Sequence, residues 1–275
     1  MSAQFGGDQY IAGQKEPVID MPTRFVDFMR VLVPMAGDDT TPEGEQVNIY
    51  GNHVGSWNFA ATAYLNRWKV KIYYEHYFDD HSQMFFQYGR WKDGHIGLEI
   101  TFPKNRFIDT FVYEGLGTKD QTGPMLYDSF WGKFEEQISA KDNYYNHYLY
   151  QGWQHWGMGI GNPLLPGPIY NKNGQITFIS NRVLAHHIGF CGSPCQSLSY
   201  RMLLSYSRHW GTYDNPLNEI KKQFNSLFEV TYAPQQLKGW SFTVSGAMDR
   251  GSILGNNYGG MLVIRKQGII KSGNK

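Results

Sequence analysis

In the stretch GWSFTVSGAM, Trp240, Phe242, Val244 and Met248 alternate with Ser241, Thr243, Ser245 and Ala247. Successive side chains of an extended chain point to opposite faces. This segment therefore has one greasy face and one small, polar face. The period recurs. Leu198, Tyr200, Met202, Leu204 and Tyr206 share one parity, with Ser199, Arg201, Ser205 and Ser207 on the other. Trp57, Phe59, Ala61, Ala63 and Leu65 fall together. Trp68, Val70, Ile72 and Tyr74 oppose Lys69, Lys71, Tyr73 and Glu75. Ile96, Leu98, Ile100 and Phe102 oppose Gly97, Glu99 and Thr101, and Phe228, Val230 and Tyr232 oppose Leu227, Glu229 and Thr231.

Less regular extended stretches fall at 24–34, 106–117, 176–190 and 257–269, although PTRFVDFMRV also fits a short helix. The total is about ten strands. Many span roughly 9–13 residues, longer than is usual in soluble sheets. A strand needs about 9–11 tilted residues to cross a bilayer.

The connections sort by length. Short turns are expected at 65–67, 103–105, 191–195 and 233–239, and long ones at 36–52, 79–94, 118–175, 211–223 and 249–256. Consecutive antiparallel strands deliver their connections to opposite ends, so this alternation puts the long loops together, as in outer-membrane barrels. Trp68, Phe102, Phe190, Tyr232 and Trp240 lie near the short turns, while Trp57, Phe78 and Trp210 lie toward the long loops. Two belts of rings suit two water–lipid interfaces.

The pattern thus predicts an all-β fold: an antiparallel transmembrane β-barrel of about ten strands, whole or part of a larger barrel. Residues 1–275 are read as one domain, with 118–175 as a long, aromatic-rich extracellular loop. Lys69, Lys71, Glu75, Glu99, Arg201 and Glu229 share the polar parity and are the candidate lumen-facing charges. A soluble sandwich, with the apolar parity as its core, is the alternative.

Composition narrows the function. Aromatic residues make up 16% and charged residues 18%, which is not a disordered composition. A net charge of +1 offers no basic face for nucleic acid. No run of about 18 apolar residues marks a membrane helix, and MSAQFGGDQY lacks the basic-then-apolar order of a signal peptide. Cys191 and Cys195 miss the redox and zinc spacings; they could close a turn as a disulfide or stand as two thiols. The adjacent His186 and His187 point to opposite faces of a strand, and His147 and His155 have no ligand set of zinc spacing nearby. No metal or other cofactor is expected. G-x-S-x-G is absent, and no catalytic residue is assigned.

The densest chemistry lies in DNYYNHYLYQGWQHWGMGIGNP, residues 142–163. Tyr144, Tyr145, His147, Tyr150, Trp153, His155 and Trp156 are the candidate polysaccharide-binding residues, because rings stack on sugar C–H faces while imidazoles and amides take hydroxyls. These rings would serve equally to pack the loop as a lid or plug.

Several longer motifs resemble the Wzi-like capsule-assembly proteins of the Gram-negative outer membrane. They are DNYYNHYLYQGWQHWGMGIGNPLLPGPIYN, NRVLAHHIGFCG, SYRMLLSYSRHWGTYDNP and MDRGSILGNNYGGMLVI, with QVNIYGNHVGSWNF, YYEHYFDDHSQM and DQTGPM. The resemblance covers roughly 44–265 and corresponds to the C-terminal portion of such proteins. It implies an outer-membrane barrel, with further strands before this part, that assembles or attaches capsule polysaccharide without catalysis. The expected partners are extracellular polysaccharide and outer-membrane lipid, around a monomer. A porin-like channel for small solutes and a soluble glycan-binding β-sandwich are the alternatives.

Overall fold

The computed structural model describes residues 1–10, 15–79, 84–86, 93–105, 107–120, 125, 127, 129, 132–133, 135–136, 138, 141 and 143–268. The expected connection at 79–94 and the first part of the 118–175 loop fall largely outside them.

One antiparallel sheet organises the chain. It begins with the short edge strand β1 (Ser2–Gln4). Nine long strands follow as a meander: β2 (Asn52–Leu65), β3 (Trp68–Asp79), β4 (Gly94–Thr101), β5 (Thr110–Gly117), then β8 (Val183–Cys195), β9 (Leu198–Gly211), β10 (Pro216–Tyr232), β11 (Trp240–Gly251) and β12 (Asn257–Lys266). A separate hairpin, β6 (Gln154–His155) and β7 (Met158–Gly159), lies in the longest connection. The sheet is not closed. Among the described residues β12 pairs only with β11, and β2 meets β1 only over Asn52–Val54.

The register carries the alternation from strand to strand. Asn58 faces Glu75, Glu75 faces His95, Gly97 faces Glu114, and Glu114 faces His187. His187 faces Ser205, Ser205 faces Asn225, and Asn225 faces Asp249. All of these belong to one face. The other carries Phe59, Ile72, Ile96, Ile188, Phe228, Val244 and Leu262, every one of them exposed. Val244 keeps 62% of its surface open and Leu262 64%. Among the described residues no second layer covers this apolar face.

Polar groups on the apolar face are satisfied locally. The Tyr113 hydroxyl and His186 Nδ1 lie 2.8 Å apart, and the Tyr200 hydroxyl donates to the Phe107 carbonyl. The polar face has apolar interruptions too, with Leu203 opposite Leu227 and Met261 opposite Ser245.

Rings collect at both ends of the apolar face. Trp68 and Phe102 lie 5.0 Å apart at the short-turn end of β3 and β4, and Trp240 and Phe242 stack at the same end of β11, farther across the sheet. At the other end Trp57 and Phe78 pair, and Phe86 packs on Phe59 and His76.

Three expectations change. The stretch 24–34 is not a strand but carries helix α1 (Phe25–Leu32). Asp27 binds Arg24 and Arg30 at a spacing of three residues, which a helix brings to one side and a strand would separate. The 211–223 connection shrinks to 212–215, because β10 starts at Pro216 and absorbs the remainder across an irregularity before Lys221. Length segregation therefore rests mainly on 80–93 and 118–182. Third, 191–195 is not a turn: β8 runs to Cys195 over a register shift after Gly192, and both cysteines are free thiols.

A second helix, α2 (Glu43–Val47), follows α1. Glu45 in it is buried and accepts from the Gly51 amide. No helix among the described residues is long and apolar enough to cross a membrane.

Gly192 tests the packing at the short-turn end. A Cβ there would lie 1.7 Å from the Phe107 carbonyl oxygen, a backbone atom. Gly192→Ala is expected to cost roughly 1–3 kcal/mol. Gly246→Ala, with open space around it, should be close to neutral in the same thermal unfolding measurement.

Candidate functional site

Residues 143–181 fold back over the long-loop end of the polar face. Tyr144, Tyr145, Trp153, Leu165 and Phe178 form a buried cluster with Leu116, Val183 and Ala185 of the sheet. Polar bonds pin it. The Tyr145 amide donates to Asp79 Oδ2, and the Asn181 side-chain amide donates to Asn143 Oδ1 and the Tyr144 carbonyl. Asn146 and Phe178 exchange two hydrogen bonds. The chain crosses itself closely at Gly152 (φ +74°), where a Cβ would sit 2.2 Å from the Tyr145 carbonyl oxygen. Only glycine fits both the backbone angle and the gap.

The seven loop residues expected to bind polysaccharide therefore divide. Tyr144, Tyr145 and Trp153 are enclosed in the loop's own core, and Tyr144 and Tyr145 also border the cavity beneath it. Burial, the largest cause, pushes both tyrosine phenols above their ordinary range and keeps them neutral. His147 and Tyr150 pack on each other, with His147 also stacked on Tyr148. His155 and Trp156 are exposed on the β6–β7 hairpin.

Trp156 stands out physically. It is 84% exposed and holds φ +52°, followed by Gly157 at φ +79°. A two-residue hairpin turn of this hand favours Asn-Gly. A tryptophan there pays strain of about 1–2 kcal/mol, and its wide exposure means little packing to offset it.

Beneath the loop a cavity of about 580 Å³ remains, lined by Ser56, Glu75, Tyr77, His95, Glu114, His187 and Ser205 of the sheet and by Tyr145, Asn162 and Leu164 of the loop. The His95 ring lies between two carboxylates. Its Nδ1 is 3.8 Å from Glu75 Oε2 and its Nε2 is 3.4 Å from Glu114 Oε1. Ser56 donates to Glu75 over 2.6 Å, and Tyr73 donates to Glu114. On the next strand pair His187 Nδ1 lies 2.7 Å from Ser205 Oγ. Asn162 Nδ2 is buried with no hydrogen-bond partner among the described residues.

The six charges expected in the lumen, Lys69, Lys71, Glu75, Glu99, Arg201 and Glu229, all project from this polar face. Only Glu75 enters the cavity. Lys69 pairs with Glu99 at 3.6 Å, and Arg201 bonds Glu229 farther along the sheet, where Glu229 also accepts from Ser245. His95, Glu114 and Asn162 were absent from the sequence-based candidates. Carrying the alternation of 96–102 back one residue would have placed His95 beside Glu75; nothing local pointed to Asn162. Among the described residues no group of three or more His, Cys, Asp or Glu side chains has metal-binding geometry.

Asp93, just before β4, is 2% exposed, and neither carboxylate oxygen makes a well-formed hydrogen bond. Burial, aided by the Asp120 charge, pushes its pKa up to about 7, although the Lys119 and Asp120 backbone and the Lys119 charge offset part of the cost. The folded state thus holds a proton that the unfolded chain gives up near pH 4. Stability from the neutral form is complete below that point and falls as pH rises to about 7. Asp93→Asn should remove this slope, gaining roughly 2–4 kcal/mol relative to the unchanged chain between pH 4 and pH 8 in denaturant titrations.

No protein-family model matches the chain, no curated protein matches it, and no solved structure does.

Proposed function

We propose that this chain forms wall of an outer-membrane β-barrel, with residues 143–181 blocking the bore, and that it binds extracellular capsule-type polysaccharide without turning it over. The observation that carries this reading is the bare apolar face. Phe59, Ile72, Ile96, Phe228, Val244 and Leu262 are exposed on a sheet whose other face is hydrogen-bonded and loop-covered. In water such a patch is costly; in hydrocarbon it is the favoured surface. Ring pairs at both strand ends fit the two interfaces. The resemblance to Wzi-like proteins supplies the polysaccharide, and the strained, exposed Trp156 supplies a contact for it. The loop core on the polar face argues for a plugged wall over a porin-like channel, and the uncovered apolar face argues against a soluble sandwich.

Two experiments test the reading. Val244→Arg and Leu262→Arg should each cost roughly 2–4 kcal/mol of folding stability in liposomes, while Ala247→Arg on the opposite face stays near neutral. A chain that is monodisperse without detergent and indifferent to all three changes would overturn the membrane assignment. For the ligand, Trp156→Asn should relieve about 1 kcal/mol of backbone strain. The same change should weaken retention of capsule polysaccharide by roughly tenfold. A stabilised variant with unchanged retention removes Trp156 from the binding surface.

A further inference from the structure

We infer that the cavity between β2–β5 and the loop segment around Asn162 is a subsite for one sugar residue of neutral or amino-bearing type, selecting against acidic sugars. This rests on the polysaccharide reading above and deepens it, moving part of recognition from the exposed hairpin to the space beneath the loop. The volume, about 580 Å³, lies within the range of small-ligand pockets.

The lining has the mixed chemistry that a pyranose ring requires. Glu75 and Glu114 are hydrogen-bond acceptors in this lining, engaged by Ser56 and Tyr73 and flanking the His95 ring. Their side chains, with that of His95, remain 21–29% exposed and so can be reached. Asn162 offers a buried donor that no described residue accepts. Leaving a buried amide unpaired is unfavourable, and a ligand hydroxyl of the right reach removes that cost. Tyr77 and Tyr145 supply aromatic walls.

Charge decides the class. The lining holds two carboxylates, Glu75 and Glu114, and two imidazoles, His95 and His187, so its net charge is negative unless both imidazoles are protonated. A uronate, sialate or phosphate brought here would meet like charge in a partly desolvated space, whereas hydroxyl and ammonium groups meet acceptors.

The test is equilibrium binding to the detergent-solubilised full chain, followed by intrinsic fluorescence, with three probes: cellotriose, the glucosamine trimer and trigalacturonate. The first two should bind, and trigalacturonate should bind at least about tenfold more weakly. Asn162→Ala and Glu114→Gln should each lower affinity for cellotriose roughly tenfold. Leu164→Trp, which fills the cavity from the loop side, should abolish binding even if Glu114→Gln fails to fold. Tyr258→Ala, on the edge strand β12 away from the cavity lining, should leave trisaccharide binding unchanged. Equal binding of trigalacturonate, indifference to Asn162→Ala and Leu164→Trp, or no binding of any probe overturns the subsite. Capsule retention that still depends on Trp156 in that case leaves the wider polysaccharide reading standing, so the two failures are distinguishable.

Discussion

Strand register is the constraint on which the rest of this structure depends. Side chains alternate with period two, so a one-residue slip between any two strands would carry a whole row to the wrong face. Here the rows stay in step through the middles of nine strands, with register shifts after Gly192 and before Lys221. Ser56, Glu75, His95 and Glu114 form a lateral chain over β2–β5 because each lies on the same parity. Thr231 and Thr243 pair across β10 and β11, and Asn225 bonds Asp249. These contacts reward the correct register on one face, and the uniform greasiness of the other face follows from it.

The same meander explains the open edges. Nine long strands alternate in direction, so β2 and β12 run the same way. Joining them directly would require a parallel pair. An antiparallel closure would take an odd number of strands between them, and under the proposed membrane placement such closure would give the free N–H and C=O groups of both edges their partners. β1, antiparallel to β2, occupies only the first part of that edge.

The larger of two buried hydrophobic clusters is in an unusual place. It lies between the polar face and the folded-back loop at one end, while the smaller packs Met21, Val31 and Tyr50 with Leu149. Leu116, Val183 and Ala185 reach the larger cluster because the polar parity turns apolar near the long-loop ends of β5 and β8. That local change lets Tyr144, Tyr145 and Phe178 seat, and it leaves the polar middle of the strands as a roofed cavity. The cavity is thus a by-product of where the apolar seat stops and the carboxylates begin.

The alternation in segments such as 68–76 and 239–248 determined by itself which residues face together, because the period is a property of neighbouring residues in an extended chain. Lys69, Glu75, Arg201 and Glu229 were legible for that reason. Helix α1 was only half legible: alternation in 24–34 competed with the Arg24–Asp27–Arg30 spacing, and the ion pairs favoured the helix. That rings within 142–163 could pack the loop was legible, but which of them are buried was not. Tyr144 and Trp156 look alike in the sequence, yet one is enclosed and the other 84% exposed. The meeting of Asn162 with Glu75, His95 and Glu114 likewise belongs to tertiary structure alone. Burial and cavity formation depend on which distant segments pack together, and no local period encodes that.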